Sequence, residues 1–402
     1  MSTDPRLSVV IPYYQQPEEL ARCLLGLEQQ TGAPSFEVVV ADDGSDTPPV
    51  LATDLDVRVV RQDDLGFRAA AARNLGARCA RGRRLVFVDA DCVPTPGFLR
   101  AMDEGSALVV GHRQHLDMDG WSRAELLSAF EGSPVFLAGP AWLRHGYDET
   151  DDLRRADDAS FRFVISAALS APTDLFWELG GFDADLVGYG GEDWDLGHRW
   201  WTAGLDLLHR PEAQVWHHGP DLPGRREDWA HVKNAETAAL ASRIPHPVIR
   251  GSGSPVVHRI PRTAVQLDLA GCTAGQALLS VEDWLTAGDV AVFVGDADVP
   301  GAFVDDPRVR RGSITDDVRA RSLVWFRATG SVRSATGHGL AGRADPALGV
   351  PAADGAAPVA WVTGRAANAA VRSREPVPWR SLPRDSWRTI SPGVLVEQER
   401  SR

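Results

Sequence analysis

Short apolar runs alternate with amphipathic stretches along the first hundred residues. Four runs have the continuous, β-branched character of buried strands and end at turn residues. They are residues 7–12 (LSVVIP), 36–41 (FEVVVA), 57–61 (VRVVR) and 84–88 (RLVFV). Between them, residues 17–30 carry apolar positions at helical spacing, and residues 66–81 predict an alanine-rich helix. This alternation predicts an α/β fold, a Rossmann-like and mostly parallel sheet with helices on both faces.

Acidic and aromatic residues follow three of these predicted strands. Pro12-Tyr13-Tyr14-Gln15 comes after the first strand, Asp42-Asp43-Gly44-Ser45 after the second, and Asp89-Ala90-Asp91 after the fourth. Parallel sheets bind ligands at the edge where the carboxyl ends of their strands meet. The Gly-x-Gly-x-x-Gly turn of dinucleotide-binding proteins is absent after the first strand, which argues against a nicotinamide or flavin site.

The pattern changes twice further along the chain. Shorter strands, glycine-rich turns and many aromatic residues occupy the stretch up to residue 219, and a Pro/Gly/Ser-rich segment follows a predicted helix. We therefore expect a catalytic domain over 1–225, a helix and linker over 226–255, and an accessory domain over 256–402. Residues 289–296 (DVAVFVGD) echo residues 36–43 (FEVVVADD). The echo indicates a smaller C-terminal α/β domain that is a degenerate half-copy of the first.

Composition excludes several classes of protein. The net charge of −13 argues against a general nucleic-acid binder. Lys233 is the only lysine, so the Gly-Lys-Ser/Thr step of P-loop enzymes is absent. The four cysteines form no Cys-x-x-Cys pair, as is typical of reduced thiols. No run reaches the ~20 apolar residues of a membrane span, and the start has no apolar leader. We expect a cytoplasmic protein, and a peripheral membrane contact stays open.

Asp89-Ala90-Asp91 is a candidate metal site. Residues i and i+2 of an extended chain point the same way, so both carboxylates can face one cation. Mg²⁺ and Mn²⁺ prefer carboxylate and phosphate oxygens. The competing interpretation is a pair of aspartates that cap a turn. His217 and His218 end a later apolar run, and one imidazole of this pair could complete the metal shell.

Two further motifs suggest chemistry at helix starts. Glu192 and Asp193 follow two glycines and begin a predicted helix, whose dipole favours their ionised forms. An ionised aspartate facing a cleft can take a proton from a hydroxyl, although helix capping explains the same residues equally well. Arg68 and Arg73 lie near the start of the alanine-rich helix, where guanidinium groups can bind a diphosphate. A solvated helix face is the alternative interpretation there.

Over its first ~220 residues the chain resembles the inverting nucleotide-sugar glycosyltransferases of the GT-A fold, family 2. The residues after the first two strands resemble that family's uracil-side turn and its base- and ribose-contacting loop. Ala72-Arg73-Asn74 and Asp89-Ala90-Asp91 resemble its helix and metal motifs. Gly180-Gly181-Phe182-Asp183, followed by Gly190-Gly191-Glu192-Asp193, resembles an acceptor-site signature shared with β-galactosyltransferases and chondroitin-polymerase-like enzymes.

The resemblance implies a role for each motif residue. Asp193 is the implied general base. The implied ligands of a Mn²⁺ or Mg²⁺ ion are Asp89, Asp91 and His217, with His218 as the neighbour in doubt. The implied acceptor residues are Glu192, Trp194 and Trp177. The implied donor contacts are Pro12, Tyr13, Tyr14, Asp42, Asp43, Arg68, Arg73, Asp89 and Ala90. Two departures concern substrate contacts, because Gln15 replaces a usual Asn and residues 166–170 lack the usual Asn before Leu-Ser.

These expectations describe a metal-dependent, inverting hexosyltransferase that uses a nucleotide-diphosphate sugar, with UDP favoured by analogy. Its acceptor would be a glycan, a lipid-linked sugar or a small molecule, and the sequence indicates neither the donor sugar nor an oligomeric state. A haloacid-dehalogenase-like phosphatase using Asp89 and Asp91 is one alternative, but only Lys233 could supply its lysine. A sugar-1-phosphate nucleotidyltransferase would need a Gly-rich loop after the first strand. A non-catalytic nucleotide-sugar-binding protein is the third alternative.

Overall fold

The computed structural model describes residues 4–329, apart from 222–223, 225–226, 252–255, 287 and 296–298. Beyond residue 329 it describes the strand segments 332–334, 360–363, 380–381 and 387–389. The chain divides into two compact units. The first contains residues 1–201 and 205–240, and the second contains residues 202–204 and 241–402.

The first unit is built on an eight-stranded mixed sheet in the order β3-β2-β1-β4-β7-β6-β8-β5. Its strands are β1 (Leu7–Tyr13), β2 (Phe36–Asp42), β3 (Val57–Arg61), β4 (Arg84–Val88), β5 (Cys92–Pro94), β6 (Leu108–Leu116), β7 (Ala168–Pro172) and β8 (Leu207–His218). The four strands β3-β2-β1-β4 are all parallel. Strand β7 runs antiparallel to both neighbours, and β8 is parallel to β6 and antiparallel to β5.

Helices cover both faces of this sheet. They are α1 (Pro17–Glu28), α2 (Ala69–Cys79), α3 (Phe98–Met102), α4 (Arg123–Glu131), α5 (Ala141–Glu149), α6 (Thr173–Glu178), α7 (Glu192–Thr202) and α8 (Trp229–Ala241), with a 3₁₀ turn at Ser160–Phe163. Side chains of β1 alternate between two core clusters, because successive strand residues point to opposite faces. Val9 and Ile11 belong to the cluster with α1, and Val10 belongs to the cluster with α2. The predicted α/β architecture is confirmed.

Helix α2 begins three residues later than the sequence predicts. Gly66 has a φ of +86°, which an ordinary side chain rarely adopts, and the helix starts at Ala69. Its alanine and glycine content lets it approach the sheet closely. A Cβ at Gly76 would stand 2.4 Å from the Cγ1 atom of Val10. The small residues that predicted the helix therefore also set its distance from β1.

The second unit repeats the strand order of the parallel half. Its six-stranded sheet has the order β11-β10-β9-β12-β14-β15, and the first four strands are parallel as in β3-β2-β1-β4. The strands are β9 (Thr263–Asp268), β10 (Val290–Phe293), β11 (Val309–Arg310), β12 (Val324–Thr329), β14 (Ala360–Thr363) and β15 (Arg380–Ser381), with β13 (Val332–Ser334) and β16 (Trp387–Thr389) forming a separate pair. This order supports the predicted half-copy, although Asp296 of the echo lies outside the described residues.

Three helices accompany the second sheet. They are α9 (Pro247–Arg250), α10 (Ala274–Leu285) and α11 (Asp316–Arg321), with a 3₁₀ turn at Gly301–Phe303. Helix α10 begins with a capping box between Thr273 and Gln276 and buries Val281 and Trp284. Among the helices of the described residues, none is long and apolar enough to cross a membrane.

Candidate active site

The loops at the carboxyl ends of β1, β2 and β4 border one cavity of about 310 Å³. Its lining combines aromatic rings, carboxylates, guanidinium groups and one imidazole, a composition suited to a polar ligand with a flat ring. These side chains are Tyr13, Tyr14, Phe67, Tyr189, Asp43, Asp64, Asp89, Asp91, Arg73, Arg113 and His217. Pro12 and Ala90 also line the cavity. The cavity thus lies at the carboxyl ends of the strands, where the sequence predicts ligand binding.

Arg73 connects two motifs that are far apart in the sequence. Its Nη2 atom donates to Asp89 Oδ1 at 2.6 Å, and its Nη1 atom donates to Glu192 Oε1 at 2.8 Å. The residue is 3% exposed. Burial alone would lower the pKa of Arg73, but the charges of Asp89 and Glu192 raise it above its ordinary value. The permanently charged guanidinium holds the start of α7 beside the Asp89-Ala90-Asp91 turn.

Replacing Arg73 with Met should destabilise the first unit markedly. Removing one partner of a buried ion pair leaves uncompensated charge, here on Asp89 and Glu192, and should cost about 3 kcal/mol. Urea denaturation at pH 7.5 measures the free energy of unfolding. Arg78→Met is the matched control, because Arg78 is an exposed residue of the same helix. Equal losses in the two variants would contradict the proposed connection.

Strand pairing brings Asp91 and His217 together. Cys92 of β5 is the register partner of His217 of β8, and the N–H of His218 donates to the Asp91 carbonyl at 2.9 Å. As a result, Asp91 Oδ2 lies 3.2 Å from His217 Nε2. His217 is 2% exposed. Neighbouring ligands of an octahedral ion with ~2.1 Å bonds lie ~3 Å apart. The carboxylate and imidazole therefore fit a divalent cation in both spacing and chemistry.

His218 faces a different group. Its Nδ1 atom accepts from the Met118 N–H at 3.3 Å, and its Nε2 atom lies 3.3 Å from Asp119 Oδ1. Asp117, Asp119 and His218 place ligand atoms within 4.8 Å of one another, but both aspartates are exposed. His217 lines the first cavity with Asp89 and Asp91, whereas His218 lines a neighbouring cavity with Asp117 and Asp119. Asp91 borders both cavities.

Asp193 lies in the first turn of α7, next to the Glu192 that Arg73 holds. The Ser166 N–H points to Asp193 Oδ2 at 3.3 Å. Burial raises the pKa of Asp193 to about 7, and the carboxylates of Glu192 and Glu236 add to the rise. Arg73 and Lys233 act in the opposite direction. A carboxylate with such a pKa can exchange a proton near neutral pH, as a general base requires.

Trp194 and Trp177, both predicted to line an acceptor site, have different surroundings. Trp194 is partly exposed and meets Trp142 edge-to-face at 6.3 Å between ring centroids. Trp142 itself is 47% exposed, so the pair forms an accessible aromatic wall beside Asp193. Trp177 instead packs against a core cluster and stacks with the Arg78 guanidinium at 5.1 Å. This packing lends no support to an acceptor role for Trp177.

Asp42, Asp43 and Arg68, all predicted to contact a donor, have different positions at the cavity. Asp42 is fully buried and accepts hydrogen bonds from Ser45 N–H at 2.9 Å and Arg61 Nη1 at 2.8 Å. Asp43 lines the cavity and accepts from the Arg68 N–H at 2.9 Å. The Arg68 guanidinium binds the Asp63 carbonyl and lies 3.6 Å from Asp43. Asp42 and Arg68 are not part of the cavity lining and instead hold the loops around it.

Sequence reasoning missed several cavity residues. Tyr189 precedes Gly190 directly, and its ring stacks on Phe67 with centroids 6.1 Å apart. Its position beside the glycine pair was a signal that could have identified it. Arg113 lies in the middle of β6, lines the cavity and is 3.6 Å from Asp221. A single arginine within a strand carries no signal in one sequence.

Comparisons with known proteins find family matches over residues 8–218. Residues 8–169 match the family model described as glycosyl transferase family 2, and residues 161–218 match the model described as the N-terminal domain of galactosyltransferase. The validoxylamine A glucosyltransferase of Streptomyces hygroscopicus subsp. limoneus is 34% identical over 258 residues, covering 57% of this chain and 54% of that protein. The chondroitin synthase of Escherichia coli is 27% identical over 295 residues, which cover 66% of this chain and 43% of that protein.

Similarity to solved structures is weaker. The S. aureus TarS 1–349 complex with UDP has a TM-score of 0.41 and 17% identity, covering 58% of this chain and 65% of that one. The chain spans about half the length of the curated relatives it matches, 54% of the glucosyltransferase and 43% of the chondroitin synthase.

Proposed function

We propose that this chain, whose residues 8–169 match the glycosyl transferase family 2 model, transfers a sugar from a nucleotide-diphosphate sugar to an acceptor hydroxyl, with inversion at the anomeric carbon. The observation that carries this proposal is the double ion pair of Arg73. It places Asp89 of the metal motif and Glu192 of the acceptor motif within reach of one guanidinium. The donor phosphates and the base would therefore act in adjoining space.

The donor would occupy the cavity at the sheet edge. Tyr14 is 42% exposed and lines this cavity, so a nucleobase can stack there. Asp89, Asp91 and His217 would hold a Mn²⁺ or Mg²⁺ ion, which supplies charge neutralisation for the departing diphosphate when bound. Arg113 adds a second guanidinium to the lining of the cavity. UDP is the favoured leaving group by analogy with the family.

Asp193 would act on the acceptor. Its carboxylate takes the hydroxyl proton as the acceptor oxygen forms a bond to the anomeric carbon. The bond from that carbon to the phosphate oxygen breaks, and the nucleoside diphosphate leaves with the bonding electron pair. One displacement from the opposite face inverts the configuration. Glu192 keeps one oxygen on Arg73, so its second oxygen can orient the acceptor while Trp194 and Trp142 provide a wall.

The phosphatase alternative requires a lysine beside the aspartate nucleophile. Lys233 instead pairs with Glu236 at 2.6 Å, and it is not among the residues that line the cavity with Asp89 and Asp91. Moreover, Asp89 Oδ1 is engaged by Arg73. Neither feature favours a covalent phosphoryl intermediate on Asp89.

A nucleotide-sugar panel tests the proposed function. We expect one donor, a UDP-sugar first, to raise Tm in the presence of Mn²⁺ and to be hydrolysed slowly when no acceptor is added. EDTA should reverse both effects. The anomer of a transferred sugar, determined by NMR, reports inversion or retention. If no nucleotide sugar is bound or hydrolysed under these conditions, the function is wrong. Release of phosphate from simple phosphomonoesters would support the phosphatase instead.

A further inference from the structure

Helix α8 packs on the turn that carries the candidate base, although it lies beyond residue 218, where the second family match ends. A Cβ at Gly190 would lie 2.8 Å from Glu236 Oε2, and one at Gly191 would lie 3.2 Å from Leu240 Cδ2. The Lys233 ammonium lies 5.7 Å from the Trp194 ring centroid. Residues 233, 236 and 240 share one helix face, so this face of α8 covers the first turn of α7.

The contact contains a charge pair of unequal exposure. Lys233 Nζ lies 2.6 Å from Glu236 Oε2, and the side chain of Glu236 is 4% exposed whereas that of Lys233 is 44% exposed. A buried carboxylate is costly unless a partner compensates it. Lys233 is that partner, and it is the only lysine among 42 basic residues. A change at either residue therefore alters the charge next to Asp193.

We propose that Lys233 and Glu236 are positioning residues for the base: α8 uses them to hold the turn at residues 190–193 and to balance the charge around the Asp193 carboxylate. The proposal rests on the proposed function and deepens it. Neither residue belongs to the motifs by which the sequence resembles its family.

Several elements surround Asp193 with ionisable groups. Those that act on its pKa are Glu192 of α7, Arg73 of α2, and Lys233 and Glu236 of α8. In turn, burial and the charge of Asp193 raise the pKa of Tyr147 of α5. After burial and Glu192, the charge of Glu236 raises the pKa of Asp193, whereas Arg73 and Lys233 lower it. The two α8 residues thus act with opposite signs. A purely structural role for the helix would not produce opposite shifts.

The pH profile of kcat/KM for donor hydrolysis or transfer tests whether Glu236 and Lys233 shift the pKa of Asp193 in opposite directions. Glu236→Gln removes a negative charge, so the acidic limb should move to lower pH by about 0.5–1 unit. Lys233→Met removes a positive charge, so the limb should move to higher pH by a similar amount. Lys233→Arg keeps the charge and should restore the original limb. Glu227→Gln, at an exposed residue just before α8, is the matched control.

The single lysine allows the same test without a mutation. Acetylation of Lys233 removes its charge and should reproduce the shift of Lys233→Met. Reductive dimethylation keeps the charge and should leave the limb in place. The Lys233→Arg protein, which has no lysine, controls for modification of the terminal amine and should respond to neither reagent.

A titration that needs no turnover separates this inference from the proposed function. Carboxyl-¹³C-labelled aspartate, assigned by comparison with Asp193→Asn, reports the protonation of Asp193 directly. Shifts of the Asp193 pKa in opposite directions in the folded Glu236→Gln and Lys233→Met proteins would support the inference. Equal displacements, or none, would overturn it even if the enzyme is active. Opposite displacements in a protein that hydrolyses no nucleotide sugar would overturn the proposed function alone.

Discussion

Sugar transfer should fall by about 10²–10⁴-fold when Asp193 is replaced by Asn, because an amide cannot accept the hydroxyl proton. Binding of the nucleoside diphosphate should survive. Asp193 is not among the residues lining the cavity proposed for the donor, and Asn preserves the shape of the first turn of α7. We would measure kcat for transfer, or for donor hydrolysis, at pH 8 and the Kd for UDP with Mn²⁺ by calorimetry.

The control for this substitution is Asp185→Asn, an exposed aspartate in the loop before α7. It should change neither quantity. Equal loss of catalysis and nucleotide binding in Asp193→Asn would refute the assignment of the base. Full activity in that variant would move the base to another carboxylate, with Glu192 as the nearest neighbour.

Although Asp193→Asn should lower activity, it should raise the stability of the folded protein. The pKa of Asp193 rises from an ordinary 3.8 to about 7 in the folded protein. The folded state therefore binds this proton more tightly than the unfolded state does. As a result, the contribution of Asp193 to the free energy of unfolding falls as pH rises from about 4 to 7. Asn removes that cost. Asp193→Asn should exceed the parent protein in free energy of unfolding by about 1–3 kcal/mol at pH 8, with a smaller difference at pH 5.

Nucleotide affinity should lose its dependence on metal when Asp91 is replaced by Ala. Asp91 and His217 lie 3.2 Å apart because β5 pairs with β8, a spacing at which both can ligate the proposed cation. Even changes outside a metal's own ligands cost ~10–100-fold in metal affinity, and loss of a ligand should cost at least that. Calorimetry of UDP with Mn²⁺ and with EDTA gives the two affinities for each variant.

A second variant distinguishes the two groups around the paired histidines. Asp119→Ala alters the exposed group of Asp117, Asp119 and His218 and should leave the metal dependence intact. If Asp119→Ala abolishes the dependence while Asp91→Ala does not, the ion binds beside His218. UDP binding by the parent protein that is equal with Mn²⁺ and EDTA would count against any metal site at Asp91.

Local patterns predicted the parallel half of the first sheet well. The apolar runs at β1, β2 and β4 are continuous because helices cover both sides, and this burial makes them recognisable in a single sequence. Strand β3 lies at the edge of the sheet, and its residues are partly or fully exposed. The motifs that follow these strands could be placed at one edge of the sheet because the strands are parallel, so their carboxyl ends lie together. The predicted start of α2 at Gly66 is three residues early, because Gly66 has a positive φ that is not helical and the helix begins at Ala69.

Other features depend on contacts that no local pattern encodes. Trp177 follows Phe176 in a short helix, and only the packing shows that its neighbours are Arg78 and Gly181. Arg73 could be found as a motif residue, but its two carboxylate partners lie 16 and 119 residues away in the sequence. Lys233 was visible as the only lysine, yet its position over Trp194 follows from how α8 returns to α7.

The pairing of β5 with β8 has a consequence for how the protein is made. β5 ends the sheet and joins it only through β8, which is the last strand of the first unit to be synthesised. A nascent chain can assemble β3-β2-β1-β4 from its first ninety or so residues, but Asp91 has no imidazole opposite it until His217 has left the ribosome. A polypeptide truncated before β8 would thus contain the cavity residues that follow β1, β2 and β4 but lack His217, one half of the proposed cation-binding pair.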